Sequence, residues 1–187
     1  MNSFETLPNY YEMIAGMNLL EDEKMFKTIK RISVILYVLL PVPGLFIVPP
    51  VMPTLKTFLK IIIAAAGTFL YICLHEAVHG IFMKLYGAKK VNYGFKMGCA
   101  YAGTASYFKK IPYSVIAMAP VVILGILLLA LNMLLGAEWF WVIYFIQIVN
   151  ISGAAGDFYV FYKLWKLPAD SLITDSGTEI KVYVNKN

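Results

Sequence analysis

The chain has 187 residues, a length that fits one domain, and 60% of them are hydrophobic against 14% charged. A soluble fold of this size has no interior large enough to hide so much apolar side chain, so the composition excludes an ordinary soluble domain and points to lipid. The formal net charge of +5 sits beside apolar runs, where basic residues set membrane orientation, and nucleic acid is not an expected partner.

Residues 1–31 are polar to amphipathic and carry Glu5, Glu12, Glu21, Asp22 and Glu23 before the basic cluster Lys24, Lys27, Lys30 and Arg31. They lack an early apolar core, so no signal peptide is read there. The first apolar run, Ile32 to Val51, contains Pro41-Val42-Pro43-Gly44, which predicts a kinked or broken helix. The second run is Ile61 to Met83; at 1.5 Å per residue it covers about 34 Å, enough for a bilayer core. The third is Val115 to Leu135, with Pro120 in its first turns, and the fourth is Phe140 to Phe161. Between the second and third, glycines and spaced aromatics in residues 91–107 predict a hairpin or irregular extended loop. After Leu167-Pro168 the chain is polar, with Asp175-Ser176-Gly177 as a turn before a short strand, Ile180 to Val184. Cys73 lies in an apolar run and Cys99 in a loop; no disulfide framework or thiolate metal site is read from them.

The expected fold is therefore an all-α membrane protein: a bundle of about four transmembrane helices with a hairpin or irregular loop between helices 2 and 3. Its divisions are an N-terminal segment over 1–31, a membrane domain over 32–166 and a tail over 167–187. Lysine and arginine cluster before the first run, between the second and third, and after the fourth. The opposite side holds only Lys56 and Lys60. This bias predicts that both termini face the cytoplasm.

Both histidines of the chain fall in His75-Glu76-Ala77-Val78-His79. Residues four apart on a helix share a face. Two imidazoles so placed can grip one Zn²⁺, while the glutamate between them can act as general base toward a metal-bound water. The motif lies inside an apolar run, where each ionisable residue costs on the order of 2.5–3.5 kcal/mol. A bound metal offsets much of that cost.

A catalytic zinc usually has three protein ligands and a water. No third histidine exists, and no acid occurs between Glu76 and Glu138, which falls on the far side. The remaining acid within an apolar run is Asp157. It lies about 9 Å of helix rise before Lys163, close to the depth of His79, about 7.5 Å before Lys84. Asp157 is therefore the expected third ligand. Gln147 and Asn150 share its stripe on the fourth helix, and Gly153 to Gly156 form a small-residue surface for close helix approach. Gln147 and Asn132 read as packing residues; Asn150, Tyr101 and Tyr107 are candidates to contact substrate.

His75-Glu76-x-x-His79-Gly80 in one membrane helix, a glycine-rich hairpin, Ala119-Pro120 early in the next helix, and Asn150 with Gly156-Asp157 in a later one together resemble the site-2 protease class of intramembrane zinc metalloproteases. The resemblance covers roughly 55–165 and is greatest to the small bacterial zincin peptidase family, which lacks large extra domains. That class has Asn-x-x-Pro followed by Leu-Asp-Gly; here Gly153 stands at the proline position and Phe158 follows Asp157. The resemblance implies peptide-bond hydrolysis in or near the membrane, Zn²⁺ as cofactor, and a membrane-protein or peptide substrate. It also implies residence in a bacterial cytoplasmic membrane. Two other readings stay open on the residues alone: a metal-binding transport or sensing element, which has no use for Glu76, and a scaffold, for which even metal is optional.

Overall fold

The computed structural model describes residues 3–19, 21–49 and 54–186. Helix α1 (Glu23–Leu39) starts where the Asp22 carboxylate accepts a hydrogen bond from Met25 N and Glu23 occupies the first turn, both favourable at a helix N-terminus. It stops before Pro41, which has no N–H to donate and collides with the preceding turn. A short helix α2 (Pro41–Ile47) then begins with proline at its first position. The break is anchored from outside: Tyr144 Oη donates to Leu40 O at 2.7 Å and Trp141 Nε1 to Val48 O at 3.0 Å. The broken helix expected from Pro41-Val42-Pro43-Gly44 is thus present, while the end of that apolar run at 50–51 lies outside the described residues.

Helix α3 (Leu55–Leu85) opens on a capping box between Thr54 and Thr57. Helix α4 (Lys110–Leu134) contains Pro120. The fourth apolar run is divided: α5 (Phe140–Gly153) and α6 (Ala155–Trp165) meet at Ala154, beside a glycine and a serine that support a helix poorly. Three stretches, Glu23–Ile47, Leu55–Leu85 and Lys110–Leu134, are long and apolar enough to cross a membrane. Only 6% of the α3 window is buried inside the structure, and Phe46, Phe69 and Met133 are each more than two-thirds exposed. Such apolar surface needs lipid, or something equally apolar, around it.

The all-α expectation is overturned by a six-stranded antiparallel sheet. Its strands are β1 (Ser3–Phe4), β2 (Tyr11–Asn18), β3 (Asn92–Lys96), β4 (Cys99–Lys109), β5 (Leu172–Asp175) and β6 (Glu179–Asn185). The spatial order is β1-β4-β5-β6-β2, and β3 forms a hairpin with β4. Four of these strands lie at the two ends of the chain. Of these, only β6 is expected from the sequence, as the strand Ile180 to Val184; in β2 the apolar alternation is interrupted by Glu12 and by glycine, and β1 and β5 are only two and four residues long. The 91–107 hairpin and the strand after Gly177 are as expected: Lys96 pairs Cys99 around Met97-Gly98, both at positive φ (51° and 86°), the geometry of a two-residue hairpin turn. Gly177, at φ 94°, turns β5 into β6.

The sheet gathers one end of every long helix. α1 leaves it from β2, α3 returns to it, α4 starts directly from β4 at Lys110, and α6 leads into β5. Its inner face closes on Met83, Phe108, Leu164, Ile173 and Val182, all nearly fully buried. The metal-motif end of α3 and the proline end of α4 are thereby held against one platform.

Candidate metal centre

The i, i+4 spacing of His75 and His79 puts their rings on one face of α3, with centroids 4.9 Å apart. α6 brings Asp157 to the same point. His75 Nε2 lies 3.2 Å from Asp157 Oδ2 and His79 Nε2 lies 3.5 Å from Asp157 Oδ1. One ligand atom from each of these three residues falls within 4.8 Å of the others. The three metal-ligand candidates of the sequence therefore meet.

What stands behind each ring fixes its proton. Tyr71, one turn before His75, donates its hydroxyl to Asn150 Oδ1 at 3.0 Å and so accepts from His75 Nδ1 at 2.9 Å. His79 Nδ1 lies 2.9 Å from Ile116 O, a carbonyl that can only accept. Pro120 explains why that carbonyl is free. In α4, Ile116 O would receive the N–H four residues on, and proline has none. The network thus accounts for a proton on Nδ1 of both rings and leaves both Nε2 atoms facing the Asp157 oxygens. Two ring nitrogens and a carboxylate at this spacing call for a proton or a cation between them. This donor set fits zinc, which takes neutral imidazole and carboxylate.

Around this point lies a cavity of about 390 Å³. Glu76 lines it, one residue off the ligand stripe, with the backbone of Ala102 within reach of its carboxylate. Gly98 of the hairpin turn and Cys99–Ala102 of β4 form one wall and Gly153 and Gly156 another. Over 99–103 β4 pairs with β3, while its pairing with β5 begins only at Thr104. One backbone edge of that stretch thus has no partner strand among the described residues.

Of the substrate-contact candidates, Tyr101 lines the cavity and Tyr107 does not; the Tyr107 ring packs against Tyr183 at 5.4 Å. Asn150 is fully buried, with its amide shared between Tyr71 and Val121 O, 3.1 Å from Nδ2. It reaches the histidines through Tyr71. Gln147 and Asn132 stand off the site, each with a buried amide oxygen that has no partner among the described residues.

Sequence reasoning missed three residues. Tyr71 carried a signal, since it sits at i−4 from His75. Tyr113 shares the face of Ile116 on α4. Asp175 had none, because only β5 carries it into the cavity. There its carboxylate accepts from Tyr113 Oη at 2.6 Å and Gly177 N at 2.7 Å. Burial pushes the Asp175 carboxyl above the usual carboxylate range, while those two hydrogen bonds oppose the shift.

No solved structure matches the chain. An uncharacterised 24.7 kDa protein from Pyrococcus woesei is 35% identical over 119 residues, which cover 60% of this chain and 50% of that protein. The chain thus spans about half the length of this curated relative. The sequence pattern of the family described as "Putative zincin peptidase" matches residues 68–172, a stretch that includes His75, Glu76, His79, Asn150 and Asp157. On that match, and with the histidines and aspartate of the stretch converging in space, the chain belongs to the family described as zincin peptidases.

Proposed function

We propose that the protein is an intramembrane zinc metallopeptidase that hydrolyses peptide bonds of membrane-embedded or membrane-proximal segments. The observation that carries the reading is the convergence of His75, His79 and Asp157 beside Glu76, in a cavity walled by an unpaired strand edge. His75, His79 and Asp157 would hold the metal, and Glu76, one residue off their stripe, would be left to act as base. Zinc, when bound, supplies Lewis acidity and an acidified water. Glu76 takes the proton from the attacking water and delivers it to the leaving amine. Tyr71, Asn150 and the Ile116 carbonyl keep the imidazoles oriented throughout. The substrate must be extended at the cleavage point, because a helix hides its peptide bonds. The edge at Ala100–Ala102, which no strand pairs among the described residues and whose Ala102 backbone reaches Glu76, can hold it so, as an added strand, with Tyr101 beside it.

The membrane placement has α1–α2, α3, α4 and the divided α5–α6 as spans, with the sheet and both ends of the chain on the cytoplasmic side. Its support is the lysine bias and the gathering of four helix ends at one sheet. The peptidase reading is tested by two variants reconstituted in vesicles with a single-span reporter. Glu76→Gln keeps size and hydrogen bonding, so zinc content should match wild type while cleavage falls by several orders of magnitude. His79→Ala should lose both. A Glu76→Gln variant that cleaves at the wild-type rate overturns the mechanism, and a transporter or sensor tolerates that change.

A further inference from the structure

On the side of α4 away from the histidines lies a second cavity, of about 640 Å³. Val115, Ala119 and Val122 of α4 form its floor, Phe82 of α3 one side, and Phe161 and Trp165 of α6 the other. The lining is apolar except for Lys110 and Ser114, and no carboxylate belongs to it. The Ser114 hydroxyl is already spent on Lys110 O. Lys110 stands where α4 meets the sheet, its ammonium donating to Trp165 O and Leu167 O (3.3 and 2.5 Å). The polar end of the groove thus carries one cation, Lys110, beside Trp165, and the rest is hydrocarbon-like.

We infer that this groove is a binding site for an anionic phospholipid, with one acyl chain along α4 and the phosphate against Lys110. Three observations converge on that occupant. From Lys110 to Ile123 the lining follows α4 for roughly 20 Å of rise, about the depth of one bilayer leaflet. The single lining cation sits at the end where headgroups lie, beside Trp165, a residue type suited to the interface. That end also carries the sheet and the lysines, which the membrane placement above assigns to the cytoplasmic leaflet, where anionic lipid attracts basic residues.

The groove touches all three helices that build the metal centre. Phe82 follows His79 by three residues, Phe161 follows Asp157 by four, and Val115 adjoins Ile116. A lipid held there braces the donors from behind. The inference rests on the membrane placement and not on the peptidase reading.

The test is native mass spectrometry of the full chain, released from micelles containing phosphatidylglycerol or phosphatidylcholine with identical acyl chains. Phosphatidylglycerol should be retained at one molecule per chain, with a preference of about fivefold or more, the gain one lysine gives with an anionic headgroup. Lys110→Gln should erase the preference. Val115→Trp, which fills the groove from its wall without touching the Lys110 contacts, should abolish retention. Ile123→Trp obstructs the deep end independently if that variant does not fold. Leu127→Trp, on exposed α4 surface outside the groove lining, should change nothing. Equal retention of the two lipids by wild type, or undiminished phosphatidylglycerol binding in a folded groove-filled variant, overturns the inference. Retention is read without cleavage, so failure of the peptidase reading leaves this result unaffected.

Discussion

His79 Nδ1 sits 2.9 Å from the carbonyl of Ile116, the one acceptor in that stretch of α4 that Pro120 leaves without its helical partner. A proline inside a helix usually counts as a defect. Here the missing N–H leaves a carbonyl free to orient one ring of the candidate metal centre.

Pro120→Ala should therefore improve the helix and injure the site. The restored N–H of residue 120 competes for Ile116 O and frees His79 to rotate or change tautomer. Zinc affinity should fall by about 10- to 100-fold, the usual effect of losing an outer-shell partner, while thermal stability without metal holds or rises. Competition titration against a zinc chelator, beside a melting curve, checks both halves. Unchanged affinity would show that the Ile116 carbonyl does not orient the ring.

Tyr71→Phe removes a hydroxyl that serves His75 and Asn150 at once. The variant keeps the ring but leaves His75 Nδ1–H and the fully buried Asn150 oxygen unpaired. Zinc affinity should drop by about 10- to 100-fold, with a stability loss of about 1–3 kcal/mol from the stranded groups. Adding Asn150→Leu should recover part of the stability and none of the affinity. A double variant that binds zinc as wild type does would break the proposed link.

Asp175 gives a prediction with a definite pH sign. Burial raises its carboxyl above the usual range, so the folded state holds the proton more tightly than the unfolded chain. Stability contributed by this group is full below the unfolded value and declines as pH rises through the folded one. Asp175→Asn can accept from Gly177 N through its one amide oxygen and donate to Tyr113 Oη through its amide nitrogen, and it carries no charge. Its melting temperature should equal or exceed that of wild type at neutral pH, and the advantage should vanish on acidification. A variant less stable at neutral pH, with the deficit closing toward acid, would reverse the sign and show that the ionised carboxylate is favoured in place.

The metal centre was legible because charge is conspicuous in an apolar run. His75, Glu76 and His79 announce themselves by spacing, and Asp157 by being the remaining acid at matching depth. Their supports were harder to see. Tyr71 and Tyr113 look like ordinary membrane aromatics, and Ile116 contributes a backbone carbonyl whose availability depends on a residue four positions away. The sheet was missed for a different reason. β2 and β6 stabilise each other across the whole chain, with Tyr11 opposite Asn185 and Asn18 opposite Glu179; β6 is legible as a strand, but nothing local to it shows that its partner lies at the other end of the chain. Pairing of this kind is a property of two segments together, and a local window reads each one separately.

That same pairing sets a timetable. β2 is synthesised before any helix, yet its partner β6 follows all of them, and β5 must slot between β4 and β6. Contacts so distant along the chain form slowly, since a long loop has to close first. Gly177 and Ile180, which line the metal cavity, arrive with these late strands. A nascent chain can thus assemble its helices and bring the histidines to Asp157 while the cavity still lacks a wall. During that interval β2 exposes an unpaired edge, the kind of template that recruits wrong partners. Closure of the pocket is therefore coupled to the pairing of β2, made before every helix, with β6, made after all of them.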